Sequence, residues 1–382
     1  MKKRKISVTT GTRAEYGILR PILDEITNSR KLQLILIVTG SHLSKKHGLT
    51  LNEIKKDGYK IAEKINIIPK NSSEFEVTKS IGSGIILFAK IFRKLKPDIN
   101  LILGDRDEMF ASATAAYHMN IPNAHIHGGD KSGGLDEYTR HAITKISNIH
   151  FAATKKSTNR ILRMGENPDF VFHTGSPSID EVLKNKITQK SELERKYKFQ
   201  ITGNEIILLQ HPVTTELDKT RIQINETLKA IIRLKKMTIV IGPNLDSGSD
   251  IIMKTIIKFS KKYDFIKFYK TFPRSDYLGL IKNCGVLVGN SSSGIIEASL
   301  FKKPVVNIGI RQRSRERGHN VIDVEHFNQK SIYHAIKKSL GLKREKLRDI
   351  SIYGERNVSK KIVKQLEIIK LNSKLIQKQI TY

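Results

Sequence analysis

The chain has 382 residues, with 68 Lys+Arg against 37 Asp+Glu for a formal net charge of +31, 38% hydrophobic residues and one cysteine. That length suggests roughly two domains, and Ile, Leu and Val gathered in compact runs between Gly, Pro, Asn and Asp argue against a disordered chain despite the charge. The single thiol, Cys284, excludes an intrachain disulfide framework and a clustered-cysteine zinc site, and fits a reducing, cytoplasmic setting.

The opening MKKRKISVTTGTR is basic, but its apolar run is too short for the core of a secretory signal peptide. Strand-like runs follow at Lys5–Thr10, Leu32–Val38, Ile99–Leu103, Asn123–Ile126, His150–Ala153 and Val171–His173, with helical spacing between them at Ile18–Thr27 and Met109–His118. The weakly polar stretch within SIGSGIILFAKIF falls far short of the ~20 apolar residues a membrane span needs, so a soluble protein with no membrane partner is expected. Gly175-Ser176-Pro177 then ends a strand in turn residues, and a charged helical segment runs from Ile179 to Lys198. A second series has strands at Glu205–Gln210, Met237–Ile241, Phe265–Tyr269, Gly285–Val288 and Pro304–Asn307, with helices at Ile222–Leu234 and Ile251–Lys261. The last segment, Asn357–Gln379, reads as one long amphipathic helix. This alternation specifies an α/β fold of two doubly wound Rossmann-like domains, residues 1–175 and 176–356.

The charge invites a nucleic-acid reading, since Lys and Arg supply most sequence-independent affinity for polynucleotides. In residues 331–382, however, the basic side chains interleave with Ile and Leu in helical fashion, and no aromatic residues alternate with them as a stacking platform. Solvated helix faces explain the pattern, and no nucleic-acid partner is expected.

Polar or glycine-rich clusters sit directly after the strand-like runs: TTGTRAEYG, LGDRDE, HIHGGD, LQHPVT, IGPNLDSGS and GNSSSGIIE. Ligands of open α/β sheets bind at those carboxyl ends, and clusters from both halves would face one another across a cleft. In GNSSSG, small residues at a helix start leave backbone N–H groups for a diphosphate, although plain serine N-capping would look the same. Glu297, further along that helix, is placed to take a ribose diol or simply to face solvent. Gly11-Thr12-Arg13 matches neither GxGxxG nor the Walker loop, which disfavours ATPase and simple nicotinamide readings. Arg13, Arg311 and Arg315 are candidate anion contacts, since the guanidinium fork suits paired oxygens.

A second constellation gathers acids and histidines: Asp105, Arg106, His125, His127, Asp130, Asp136, Glu137 and His141 from the first half, and His211 from the second. Paired carboxylates in different surroundings can divide general acid and base roles. The HIH pair lacks metal-ligand spacing, and neither a metal nor a cofactor is expected.

At these residues the sequence resembles the hydrolysing UDP-N-acetylglucosamine 2-epimerases of sialic and related nonulosonic acid synthesis. The likeness spans almost the whole chain and rests on GTRAEYG, VTGSHL, LGDRDE, HIHGGD with DEYTRHAITKISNIHF, QHPVT, GPNLDSGS, GNSSSGIIEA and GIRQRSRERGHNV. It implies a glycosyltransferase-B-like arrangement with an interdomain cleft, the C-terminal helix of about 357–382 completing the first domain, and a homodimer or homotetramer. By motif, Arg13, Arg106, Ser291, Ser292 and Arg311 would contact the UDP phosphates or nearby groups, Glu297 the ribose, and His211 and Asn244 the surroundings of the diphosphate. The same carry-over places His42, Arg315 and Glu316 at the UDP-sugar, and Asp105, Asp130, Asp136, His127 and His211 in the catalytic set.

The implied reaction converts UDP-N-acetylglucosamine and water into N-acetylmannosamine and UDP, through C2 deprotonation, anti elimination of UDP and syn hydration of a 2-acetamidoglucal. Relatives with closely similar motifs act on UDP-N,N′-diacetylbacillosamine, and no residue decides between the two sugars. A nucleotide-sugar glycosyltransferase is the alternative of another class. Two positions depart from the family pattern: His127 with Asp130 stands where many relatives carry Glu, and Ser314 where glycine is typical.

Overall fold

A computed structural model describes residues 3–44, 49–71, 73–184, 187–244, 246–342, 347, 352–354 and 356–382. Its first sheet contains β1 (Arg4–Thr10), β2 (Leu32–Val38), β3 (Ile61–Lys64), β4 (Ile99–Leu103), β5 (Asn123–Ile126), β6 (Ile149–Ala152) and β7 (Val171–His173), in the order β3-β2-β1-β4-β5-β6-β7. The second contains β8 (Ile206–Leu209), β9 (Thr238–Ile241), β10 (Ile266–Tyr269), β11 (Val286–Gly289), β12 (Val305–Ile308) and β13 (Val321–Val324), in the order β10-β9-β8-β11-β12-β13. Every pairing is parallel. The central strands are buried on both faces, which is why they read as near-continuous Ile, Leu and Val rather than as alternating patterns.

Helices cover those faces: α1 (Arg13–Asn28), α2 (Leu51–Lys56), α3 (Glu74–Leu95), α4 (Asp107–His118), α5 (Leu135–Lys145), α6 (Lys155–Arg163) and α7 (Pro177–Lys184) precede the second sheet. The later helices are α8 (Lys190–Tyr197), α9 (Thr220–Leu234), α10 (Ser249–Lys262), α11 (Arg274–Asn283), α12 (Ser293–Leu300), α13 (Gln329–Leu340), α14 (Val358–Ile368) and α15 (Ser373–Ile376). On one face of the first sheet, Leu19, Ile22 and Leu23 of α1 pack with Ile362 and Leu366 of α14; on the other, Phe88 and Phe92 of α3 meet Ile35 and Ile37. The second sheet has its own core, with Leu228 and Ile231 on one side and Leu280, Ile281 and Ala298 on the other. No helix among the described residues is long and apolar enough to cross a membrane.

Four features differ from the sequence reading. The strands β3 and β13 are absent from it; both are outer strands of their sheets, four residues long, and their IAEK and VIDV carry charges that mimic a loop. The single helix expected over Ile179–Lys198 is instead α7 and α8, the second beginning after an extended Gln189. The long C-terminal helix stops at Ile368: Ile369 turns extended, and the Asn372 side chain accepts the Leu375 N–H to start α15. Asn148 then fastens that turn by donating to the Leu375 carbonyl at 2.8 Å.

In both sheets the strand order reverses beside the first strand, between β1 and β4 and between β8 and β11. These are the switch points at whose carboxyl ends doubly wound sheets open a crevice. Both crevices open into one shared cleft, lined by Thr12, Arg13, Asp105 and Arg106 from one side and by His211, Ser291 and Ser292 from the other.

Candidate active site

The cleft encloses about 260 Å³. Its first wall begins at the turn after β1, which a capping box builds: Glu15 Oε2 accepts the Gly11 and Thr12 N–H groups at 3.0 Å each, and Thr12 caps the Glu15 N–H. Burial, reinforced by neighbouring Glu108, raises the Glu15 carboxyl to about 7. The turn aims Arg13 across the cleft, where it donates to Thr271 Oγ1 at 2.8 Å and to the Phe272 carbonyl, while Glu53 accepts from its Nε at 2.9 Å.

After β4, Asp105 pairs with the buried Arg140 of α5, whose Nη1 donates to Ser132 Oγ at 2.8 Å. Arg106 reaches Glu108 at 3.2 Å and, in the second half, Asp246 at 3.1 Å. After β5, His127 adopts φ 65° and uses both ring nitrogens, Nδ1 with Asp130 Oδ2 at 3.0 Å and Nε2 with Ser176 Oγ at 2.8 Å. Asp130 is 2% exposed and also receives Ser157 Oγ–H at 2.7 Å and Arg315 Nη2 at 3.1 Å. Burial opposes its charge, yet the hydrogen bond and charge of His127, joined by Arg315 and Ser157, hold the carboxyl below the usual range.

The second wall is built from β8, β9, β11 and β12. Asn290 ties two of these strand ends together, accepting the His211 N–H at 2.7 Å and donating to the His211 carbonyl at 2.9 Å. The Asn244 N–H donates to His211 Nδ1 at 3.2 Å, which places the imidazole proton on Nε2. Burial, with Arg311 nearby, lowers this ring to about 3, so it is neutral at physiological pH. Ser292 opens α12 without a side-chain hydrogen bond to the first turn; the Ser293 N–H reaches Ser291 Oγ at 3.4 Å instead, and the Gly294 and Ile295 N–H groups donate to the Ser291 and Ser292 carbonyls at 3.1 and 3.0 Å. Ser291 and Ser293 hydroxyls lie 3.0 Å apart, and Tyr277 contacts Ser293 at 2.5 Å.

The loop after β12 closes one side. The Gly133 N–H donates to the Arg311 carbonyl at 2.7 Å, and a Cβ on Gly133 would lie 2.0 Å from the Ile310 oxygen, so only glycine permits this approach. Arg311 pairs with Asp136 at 2.8 Å and lies 4.0 Å from Asp246. Arginines from each half thus engage carboxylates or carbonyls of the other.

Of the residues singled out in the sequence, Arg13, Asp105, Arg106, His127, Asp136, His211, Asn244, Ser291, Ser292, Glu297, Arg311 and Arg315 all line this cleft. Asp130, His42, Glu316, His125, Glu137 and His141 do not. Asp130 stands behind His127 and Arg315. His42 is fully buried between Thr10 and Thr50 hydroxyls at 3.0 and 2.6 Å, and burial lowers it to about 3, the signature of a satisfied core histidine. Glu316 contacts Thr154 and Lys156, away from the lining. His125 is likewise internal, with Nε2 2.7 Å from the Gly104 carbonyl and Nδ1 3.2 Å from Thr144. Sequence reasoning missed Glu15, Arg140, Asp246 and Arg274. Glu15 was legible as the fourth member of the TRAE capping box; the others are marked only by partners distant in sequence.

Comparison with known proteins agrees with this architecture. Residues 24–367 match the profile of a family described as UDP-N-acetylglucosamine 2-epimerase. The UDP-N,N′-diacetylbacillosamine 2-epimerase (hydrolyzing) of Legionella pneumophila is 38% identical over 99% of this chain and 100% of its own length. The polysialic acid biosynthesis protein P7 of Escherichia coli is 39% identical over 84% of this chain and 82% of its own. The solved UDP-GlcNAc 2-epimerase of Neisseria meningitidis superposes with a TM-score of 0.80 at 21% identity, covering 95% of this chain and 99% of the other, a likeness of fold. With two parallel-sheet α/β domains in a glycosyltransferase-B-like arrangement and a match along most of its length, the chain belongs to the UDP-N-acetylglucosamine 2-epimerase family.

Proposed function

We propose that the protein is a hydrolysing 2-epimerase of a UDP-linked 2-acetamido sugar. The observation that carries this reading is the division of the cleft: the serine-lined start of α12 with Arg311 and neutral His211 on one wall, and the carboxylates Asp105 and Asp136 on the other.

In this reading the diphosphate lies at the start of α12, where the helix dipole and the Ser291 and Ser292 hydroxyls favour an anion. Arg106 and Arg311, now held by Asp246 and Asp136, would exchange those carboxylates for phosphate oxygens. His211, with its proton on Nε2, donates to the departing diphosphate without itself ionising. Asp105 or Asp136 takes the C2 proton. The C2–H pair becomes the C1–C2 double bond as the C1–O bond breaks and its electrons leave on UDP. Water then adds across the glycal, hydroxyl to C1 and a proton to C2 on the same face, giving the free sugar inverted at C2. Asp130 serves from behind, orienting His127 and Arg315.

The substrate proposed first is UDP-N,N′-diacetylbacillosamine, supported by the name of the full-length Legionella relative; UDP-N-acetylglucosamine, giving N-acetylmannosamine, is supported by the family's description. Purified protein incubated with each UDP-sugar and no acceptor should release UDP and an equal amount of free 2-epimer, faster from the first. UDP release only on addition of a sugar acceptor would instead favour glycosyl transfer.

A further inference from the structure

Arg274, the first residue of α11, stands at the cleft edge between two buried carboxylates. Its Nε donates to both oxygens of Glu181 at 2.8 Å, its Nη2 to Glu181 Oε2 and Glu297 Oε1 at 2.5 Å each, and its Nη1 to Glu297 Oε2 at 3.2 Å. Glu181 is fully buried and Glu297 is 3% exposed. Helix α1 makes room for the pair, since a Cβ on Gly17 would lie 2.7 Å from Glu181 Oε1 and 2.9 Å from Arg274 Nε.

One guanidinium therefore contacts two carboxylates, with Arg20 of α1 the further cation acting on Glu181. Burial, with neighbouring Glu297, shifts Glu181 upward against the attraction of Arg274 and Arg20. A buried carboxylate is stable where further donors satisfy its lone pairs. Glu297 lines the cleft and Glu181 does not, so a ligand can supply those donors only at Glu297. Gripped from behind by Glu181, the planar fork of Arg274 fixes the plane of the Glu297 carboxylate and engages each of its oxygens. A vicinal diol offers one O–H to each oxygen and adds no charge.

We propose that Arg274, anchored by Glu181, is a positioning residue that locks both oxygens of Glu297 toward a vicinal diol, making the cleft select a ribonucleotide over its 2′-deoxy counterpart. This rests on reading the cleft as a UDP-sugar site with Glu297 at the ribose. The guanidinium is a positioning group here, and its removal should act on diol recognition and spare the phosphate contacts.

Titration calorimetry of the full chain with UDP and with 2′-deoxy-UDP tests this. The wild type should bind UDP at least about tenfold more tightly, as hydrogen bonds to a charged acceptor require. Arg274→Gln should weaken UDP to the level of 2′-deoxy-UDP while leaving 2′-deoxy-UDP unchanged, so the ratio collapses to about one. Glu181→Gln keeps the Arg274–Glu297 pair but loosens its anchor, and should narrow the ratio partway; it keeps the test decisive if the arginine variant does not fold. Equal loss of both nucleotides in Arg274→Gln, a wild-type ratio in both variants, or no discrimination by the wild type would overturn the proposal. A wild type that binds neither nucleotide would overturn the underlying reading of the cleft, a separate outcome.

Discussion

At the scale of single residues, the site divides carboxylates by their partners. Asp105 and Asp136 line the cleft, each on one arginine, whereas Asp130 is enclosed by His127, Ser157 and Arg315. If the first two handle the C2 proton, Asp105→Asn and Asp136→Asn should each lower kcat by about 10²–10⁴ while UDP affinity changes little, measured by UDP release and by calorimetry. Loss of UDP binding in step with kcat would mean that they hold the ligand instead. Most of the candidate set was legible because it follows strand ends in short polar motifs. Arg140 and Arg274 were not, because an arginine in a helix looks solvated until the fold delivers Asp105, Glu181 and Glu297 to it. His42 misled for the opposite reason: its motif lies beside the cleft, but its ring is turned inward onto two threonines.

At the scale of elements, α14 belongs to the first sheet although it follows the second in sequence. Asp180 of α7 caps it, accepting the Asn357 and Ser359 N–H groups at 2.7 Å each, and Ile362 and Leu366 enter the core beside α1. Ile362→Ala should therefore cost about 2–5 kcal/mol in urea unfolding, like other core truncations, rather than the near-zero change of a frayed terminal helix. The α/β alternation was readable because buried parallel strands are uninterrupted apolar runs. The outer strands β3 and β13 and the breaks before α8 and α15 were not, since edge charges and an asparagine cap write the same composition as a loop or a helix surface.

At the scale of the whole molecule, stability depends on ionisable groups taken out of water. His42, His125 and His211 each fall from 6.5 to about 3 in the fold, largely through burial. They stay neutral when folded, and the unfolded chain alone gains their protons as pH falls below 6.5. Their contribution is full above that value and is lost toward 3, about 1.4 kcal/mol per pH unit for each. Glu15 and Asp107, raised to about 7 mainly by burial, act in the opposite sense: the fold keeps their protons, so acidification from 7 favours it until the unfolded carboxyls protonate too. Urea unfolding should accordingly show a shallow loss of stability from pH 7 to 5 and a steep one below about pH 4.5. A flat profile to pH 3 would contradict the buried, neutral state of the histidines.

In the reaction we propose, the cleft takes a proton from C2, expels UDP and returns a free sugar. Its most direct test is proton NMR of the purified protein in deuterated water with UDP-N,N′-diacetylbacillosamine and, separately, with UDP-N-acetylglucosamine, following UDP and the C2 position. At least one of the two should yield UDP together with free 2-epimeric sugar carrying deuterium at C2. Free sugar that retains its original C2 proton, or a UDP-linked epimer that accumulates with no free sugar, would contradict it.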